Sequence, residues 1–522
     1  MSRLHNAIEG LGACVALGLL LGALEGALAP GLGESFGEKL VLFALLDGMA
    51  GLALGAVVGL GCLALPRKSR RIWRVWLALG AVVMLLGLFA GSAARGVDRL
   101  QDQAWTEFSR EQPLPTLRVD PDAPGPPILI VSVDTLRADA LEHMPLLSAR
   151  AEQGRTYTRA HSTSTWTLAA MASVHTGMDA TQHGAGRRLD PDVTALRSPL
   201  DPEVRTLAQA LVDRGYVTAA VVTNPYLSPA YGLHRGFDRS TDLSRRAALS
   251  RGLRRSVVLR QVVPPVRDDS QAVTDRALTL GRRVREGRYL MWVHYLEPHT
   301  PYGGGRGADC DWPDCFDDWA AVRRGERVMD EPTQARVQEL YVRDLAVLDA
   351  ELDRLLGELD GMGALDRTLV ILVADHGEEF WEHGGVEHGH STVEQVTHVP
   401  LIVWGPGIEP GVVDRAVDVR GVYDAALGWA DGSGLGPLSA EGPDAITPIT
   451  GQLFGAPTWA CTDGHVRVDS VDGVVSGWDL DQQVAVEPPQ HLVDCLPGAV
   501  PMGDADPDGG RDRALEALGY VE

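Results

Sequence analysis

Four strand-length stretches of this chain are apolar almost without a break: Ile128–Asp134, Tyr216–Asn224, Tyr289–Glu297 and Thr368–Glu379. A strand with one face in water alternates apolar and polar side chains. A strand that does not alternate has to be covered on both faces, the condition of a parallel sheet flanked by helices. Amphipathic helical patterns lie between them, as in Val204–Gly215 and Arg343–Gly363. The pattern predicts an α/β domain with a mostly parallel sheet between helices. After about Thr458 the pattern changes to short β-type runs, as in His465–Glu487, then a last helical stretch over 509–522. This predicts a small C-terminal antiparallel subdomain.

The first hundred residues carry three long apolar runs, about Ala7–Ala29, Leu40–Leu65 and Ile72–Ala94. Each reaches the ~20 residues a helix needs to cross a hydrocarbon core. A cleaved signal peptide is the alternative for the first run, but two further runs follow it and no clear small-residue cleavage site stands out. Between runs two and three, "PRKSRRIWR" (Pro66–Arg74) is strongly basic, whereas Ala29–Lys39 holds two Glu and one Lys. The positive-inside rule keeps the basic loop in the cytoplasm. The expected protein is therefore a multi-pass protein of the cytoplasmic (inner) membrane, with everything after the third span on the extracytoplasmic side. Glu9, Glu25 and Asp47 lie within or at the edges of the spans and are expected to face neighbouring helices or the interface. The expected organisation is a three-helix anchor over 1–95, a Pro-rich linker over 96–126, the α/β domain over 127–457 and the small subdomain over 458–522.

A net charge of −23 argues against a nucleic-acid partner, which would require a basic face. Cys14 and Cys62 fall in the spans, and Cys310, Cys315, Cys461 and Cys495 in the exported part. The simplest pairing is Cys310–Cys315 with Cys461–Cys495, as an oxidising compartment permits. A zinc site competes with it, but "CDWPDC" has no second half at knuckle spacing. Six Arg within Arg245–Gln261 stand out in an acidic protein. They read either as a solvated helix face or as a contact for anionic lipid headgroups or an anionic substrate.

Three of the apolar strands end in polar residues: Asp134, His299 just beyond Glu297, and Asp375-His376. Open α/β sheets bind ligands outside the carboxyl ends of their strands. Two carboxylates, an imidazole and a hydroxyl make a donor set for a divalent cation, with Ca, Mn, Zn and Mg not distinguishable from the sequence. One such strand end is commonly a cap or turn former; three on one sheet edge predict an active site.

The motifs "VSVDTLRAD", "TWTLAAMASVHTG", "DATQHG", "HYLEPHTPY", "LVADHGEEFWEHGG", "EHGHSTVEQVTHVPLIVWGPG" and the final "ALEALGYVE" follow the order and spacing of the sulfatase family. That family lies within the alkaline phosphatase superfamily. The resemblance covers roughly Ile128–Gly407 and the tail. It implies that Asp134, Asp375 and His376, with the nucleophile, hold a single divalent metal. It implies that His299 contacts the transferred group and that His388 lies near the leaving group. Thr135 stands where many relatives have a second Asp, which leaves the metal shell one carboxylate fewer. A substrate-contacting Lys found in many sulfatases near "VVTNPYLSPAYGLHRGFD" is absent, and Asn224 is the nearest polar residue there.

The family's nucleophile is a formylglycine made from Cys or Ser in a Cys/Ser-x-Pro-x-Arg signature, ten residues before a Gly. Counting back from Gly177 gives Thr167, with Ala169 for the Pro and Met171 for the Arg. Thr cannot become formylglycine, so none is expected. A metal-bound Thr hydroxyl attacks directly in the membrane-bound phosphoethanolamine and phosphoglycerol transferases that this arrangement resembles. Ser162, Thr163, Ser164 and Thr165 are expected to form the approach loop, with Ser173 and Thr176 capping or packing the adjoining helix. The resemblance implies a membrane-anchored, metal-dependent ester hydrolase or transferase acting on a phospho- or sulfo-ester, a lipid-linked or cell-envelope ester among them. Phosphoryl chemistry through Thr167 is the expectation; a true sulfatase and a catalytically silent binding module are the alternatives. Oligomeric state and substrate are not legible.

Overall fold

The computed structural model describes residues 126–186, 188–190, 193–244, 269–284, 287–300, 302, 322, 327–451, 458–471 and 474–496. These belong to one compact unit, made of residues 114–244 and 268–511. The three apolar runs, Cys310, Cys315, the Arg-rich stretch and the final helical pattern lie outside the described residues. Among those described, no helix is long and apolar enough to cross a membrane.

In chain order the elements begin with β1 (Ile128–Val133), α1 (Pro145–Ala151), β2 (Arg155–His161), α2 (Thr167–Thr176) and α3 (Ala180–His183). A small hairpin follows, β3 (Arg188–Asp190) and β4 (Val193–Arg197), then α4 (Leu207–Val212), β5 (Val217–Val222) and β6 (Arg239–Asp242). Next come α5 (Ser270–Val284), β7 (Tyr289–Tyr295), the long α6 (Glu331–Gly361) and β8 (Leu369–Ala374). The short hairpin β9 (Glu379–Phe380) and β10 (Val386–Glu387) leads to α7 (Glu394–Thr397), β11 (Leu401–Trp404), β12 (Gly411–Asp418) and α8 (Gly421–Ala430). The tail holds β13 (Thr447–Gly451), β14 (Thr458–Thr462), β15 (Val466–Val471), β16 (Val474–Asp479), β17 (Val484–Val486) and α9 (Gln490–Cys495).

The main sheet has eight strands in the order β12-β2-β11-β8-β1-β7-β5-β6. All pairings are parallel except those of β11, which runs antiparallel to β2 and β8. The four apolar stretches of the sequence are β8, β1, β7 and β5, four neighbours at the centre of the sheet. β1, β7 and β8 are buried along their whole length. α5 and α6 pack together, with Leu359 of α6 lying over Gly281 of α5. On β1, Leu129, Val131 and Val133 face one way and Ile128, Ile130 and Ser132 the other, and all six side chains are buried, as a sheet covered on both faces requires.

The second sheet is a five-stranded antiparallel meander, β13-β14-β15-β16-β17. Its first strand, Thr447–Gly451, comes before the expected boundary at 458, and a parallel bridge from Ser164 to Thr450 ties it to the loop ahead of α2. That short strand carries a Pro and two Thr, so its sequence signals β structure weakly. The expected bond between Cys461 and Cys495 is present and joins β14 to α9. Around it, Cys461, Val468 and Leu492 form a small apolar core.

Candidate active site

Parallel order delivers the chemistry to one edge. β8, β1, β7 and β5 all end on the same side, so Asp375, Asp134, the Glu297–His299 turn and Asn224 follow one another along the carboxyl end of the sheet. The peptide after Asp134 is held by Thr135, whose φ of 54° is unusual for a β-branched residue. Its N–H donates to Asp375 Oδ1 at 3.2 Å, and its carbonyl accepts from Tyr341 of α6 at 3.0 Å. Gly377 follows the Asp375-His376 pair where a Cβ would come within 2.1 Å of the Gln395 carbonyl. A side chain there would push away α7, whose backbone bonds to Gly377 and Glu378.

The Ser/Thr-rich run resolves hydroxyl by hydroxyl. Ser162 donates to the carbonyls of Ser164 and Asp375, and Ser164 donates to Thr450. Thr163 donates to Ser173 Oγ at 2.8 Å. Ala185 N–H donates to His183 Nδ1, so the neutral ring carries its proton on Nε2, which lies 3.2 Å from Ser173 Oγ. Ser173 therefore receives twice and gives its own proton to Ala169 O. Thr176 bonds back to Ala172 O. Ser173 and Thr176 thus lie within α2 and pack it rather than cap it.

Thr167 differs from all of these. It is the first residue of α2, and its Oγ1 lies 3.3 Å from Asp134 Oδ2 and 3.4 Å from His376 Nε2. The Trp166 N-cap offers no side-chain cap, so this helix end directs first-turn N–H groups and its positive dipole end toward Thr167. Ala169 and Met171 are wholly enclosed in the apolar body of α2, all ten of whose residues are buried.

Asn224 Nδ2 donates to Asp134 Oδ2 at 2.6 Å and to Thr167 Oγ1 at 3.0 Å. Its Oδ1 accepts from Tyr226 N at 2.9 Å, capping the short helical turn after β5, and this fixes which way the amide points. His376 Nδ1 lies 2.9 Å from the Gly377 carbonyl and must donate there, which leaves the Nε2 lone pair facing Asp134 and Asp375 at 3.5 Å. One ligand atom each from Asp134, Asp375 and His376 can come within 4.8 Å of the others. Asp134 Oδ1, Asp375 Oδ2 and Thr135 Oγ1 are buried with no hydrogen-bond partner. Buried carboxylate oxygens without a donor fit a hard cation between them, so the donor set suits the group the sequence implied.

The electrostatics agree. Burial opposes the charge on Asp134, yet the imidazoles of His299 and His294 outweigh it and hold the carboxyl well below its usual range. Asp375 goes the other way, pushed well up by burial and by the charge on Asp134. His376 is lowered by burial, against the pull of Asp134, and so stays neutral as a ligand should.

His299 and His388 meet beside this cluster. Their rings are 5.0 Å apart, and the His388 ring is 4.3 Å from that of His376. His299 Nδ1 lies 2.6 Å from Thr300 O, and His388 Nδ1 lies 2.8 Å from Glu378 Oε1. Sequence reasoning missed His294, whose Nε2 is 3.4 Å from Asp134 Oδ2 and whose Nδ1 contacts Ser132 Oγ at 2.8 Å. It missed Glu378 as well. The signal for His294 was an ionisable residue at the centre of a strand buried on both faces.

A family model described as Sulfatase matches residues 126–433, more than half of the chain. The chain belongs to the sulfatase family. Among curated relatives, arylsulfatase K of Danio rerio is 31% identical over 135 residues, 25% of this chain and 25% of that protein. Choline-sulfatase of Rhizobium meliloti is 28% identical over 191 residues, 31% of this chain and 37% of that protein. The chain thus matches only 25% to 37% of the length of these sulfatases. Among solved structures, a phosphonate monoester hydrolase from Silicibacter pomeroyi superposes with a TM-score of 0.54 at 19% identity, covering 68% of this chain and 89% of that one. A 2-O glycosaminoglycan sulfatase gives 0.53 at 16%, covering 69% and 86%. At these identities the structures establish the shared sulfatase fold.

Proposed function

We propose that this chain is a membrane-anchored, metal-dependent ester hydrolase or transferase that works outside the cytoplasmic membrane through Thr167, on phosphoryl esters. One observation carries the reading. Of the hydroxyls between Ser162 and Thr176, Thr167 alone, among the described residues, reaches both a carboxylate and an imidazole of the cation-type cluster. When bound by Asp134, Asp375, His376 and Thr167, a divalent cation would polarise the ester and favour the Thr167 alkoxide.

The chain's own groups do the rest. Asn224 holds Thr167 Oγ1 by its amide N–H and stabilises negative charge there. The start of α2 adds its dipole to the same oxygen. His299 and His388 stand beside the ligands, one to steady the transferred group and one to manage the proton of the departing oxygen. Attack by Thr167 gives a covalent phosphoryl-threonine, which water or an acceptor alcohol resolves. Lipid-linked or cell-envelope esters suit the proposed membrane location.

Sulfuric ester hydrolysis is the second reading, favoured by the sulfatase names of the curated relatives. The test is parallel assay of the full-length protein on an aryl phosphate, a phosphodiester and an aryl sulfate, with Thr167→Ala beside it. Phosphoester turnover lost in the variant supports the proposal. Turnover of the sulfate alone replaces it with the second reading, and equal activity of the variant removes Thr167 from the mechanism.

A further inference from the structure

Glu378 is fully buried two residues beyond His376, and each of its carboxylate oxygens has a hydrogen-bond donor. His388 Nδ1 lies 2.8 Å from Oε1, and the Tyr302 hydroxyl donates to Oε2 at 2.9 Å. The backbone of Glu378 is fixed too: its N–H donates to Gln395 O at 3.0 Å and its carbonyl accepts from Arg137 at 3.1 Å. Tyr302 is itself wedged against Tyr341 and Phe380, with ring separations of 6.1 and 5.7 Å. Burial and the neighbouring Glu378 keep its phenol protonated, so it can only donate in that bond. A carboxylate held this rigidly fixes the place of the His388 ring through Nδ1.

We infer that Glu378 is a positioning residue for leaving-group protonation: it keeps the proton of His388 on Nδ1, turns Nε2 toward the departing oxygen, and balances the charge of the doubly protonated ring. This rests on the reading of His388 given under the proposed function. In the first half-reaction, the Thr167 oxygen bonds to the transferred group while the ester bond breaks with its electron pair on the leaving oxygen. That oxygen takes the proton from His388 Nε2, and the Nδ1 proton stays against Glu378. In the second half, water gives a proton to Nε2 as its oxygen attacks, and the electron pair of the breaking bond returns to Thr167. Both proton and alkoxide are restored.

The experiment compares 4-nitrophenyl esters, whose leaving oxygen barely needs a proton, with phenyl esters, whose leaving oxygen does. Each is offered to the full-length, metal-loaded protein as a methyl phosphodiester and as a sulfate. Glu378→Gln should lose about tenfold to a hundredfold more kcat/KM on the phenyl than on the 4-nitrophenyl ester. His388→Gln should show the same bias, and the double variant should be no worse than either single one. Tyr302→Phe, a smaller change that releases one oxygen of Glu378, should show the bias in weaker form, and decides the matter if Glu378→Gln does not fold. Equal losses on the two esters in the Glu378 or Tyr302 variants, with the bias present in His388→Gln, overturn the inference alone. No bias in His388→Gln overturns the His388 reading and this inference with it.

Discussion

Asn224 donates to Thr167 across 57 residues of sequence, from the end of β5 to the first turn of α2, at 3.0 Å. The same amide nitrogen holds Asp134 Oδ2 at 2.6 Å, so one side chain sets the separation of the proposed nucleophile and the proposed ligand. Asn224→Ala should lower kcat about a hundredfold with KM changed only a few-fold, the pattern of a donor that acts on developing charge. Steady-state kinetics on whichever ester the wild type turns over checks it. A change confined to KM would show that Asn224 binds substrate instead.

Asp134 and Asp375 bring two carboxyls together in a wholly buried site, and Asp375 is the one forced upward by burial and by its neighbour's charge. A cation removes that conflict. Chelation should therefore lower the melting temperature of the protein, and cation at a hundredfold over its Kd should restore about 2.7 kcal/mol. Asp375→Asn should reverse the sign: more stable than the wild type in chelator, and no longer stabilised by added cation. Melting curves of both proteins with and without chelator decide it. A wild type indifferent to chelation would leave the orphaned carboxylate oxygens without their proposed ligand.

Much of this site was legible because the central strands are so apolar. β8, β1, β7 and β5 are buried on both faces, so polar residues are few before the strands end (Ser132, Thr218 and His294), and the polar residues of the candidate site gather at the ends. The edge of the sheet was harder. β2, read "RTYTRAH", is half exposed and has only Tyr157 and Ala160 as apolar residues, and the antiparallel insertion of β11 leaves no local trace. Thr167 was legible through its register to Gly177, which takes φ 71° to end α2. Glu378 was not, because its role depends on Tyr302 and His388 arriving from other segments. Nothing in "DHGEEF" distinguishes Glu378, bonded to His388, from Glu379, which holds the turn of the β9–β10 hairpin through His390 and backbone N–H groups.

The Cys461–Cys495 bond closes a span of 34 residues that contains most of the second sheet. The apolar core beneath it is small, so the cross-link matters more than it would in the main sheet. Cys495→Ser should destabilise this part by about 4 kcal/mol on a chain-entropy basis. Proteolysis should then cut within 458–496 under conditions where the wild type is intact. Equal resistance of the two proteins would mean the sheet stands on its own packing.

His175 supplies a prediction about acid. It lies on α2, on the same helix as Thr167, with its ring 4.2 Å from Trp292 and 6.1 Å from Phe237. Both ring nitrogens are buried without a partner. Burial, with a smaller push from His294, lowers its pKa to about 3. The folded protein therefore keeps His175 neutral where the unfolded chain, titrating near 6.5, has already taken up a proton. The unfolded state binds more protons throughout that window, so stability falls as pH drops from 6.5 toward 3. At pH 4.5, two units below the unfolded value and still above the folded one, the stability lost is about 3 kcal/mol. His175→Leu removes this contribution and should flatten the decline over the same window, while activity at neutral pH persists because His175 touches none of the proposed ligands. Unfolding midpoints of wild type and variant at pH 7 and 4.5 measure it, and parallel declines in the two proteins would show that other groups carry the acid sensitivity.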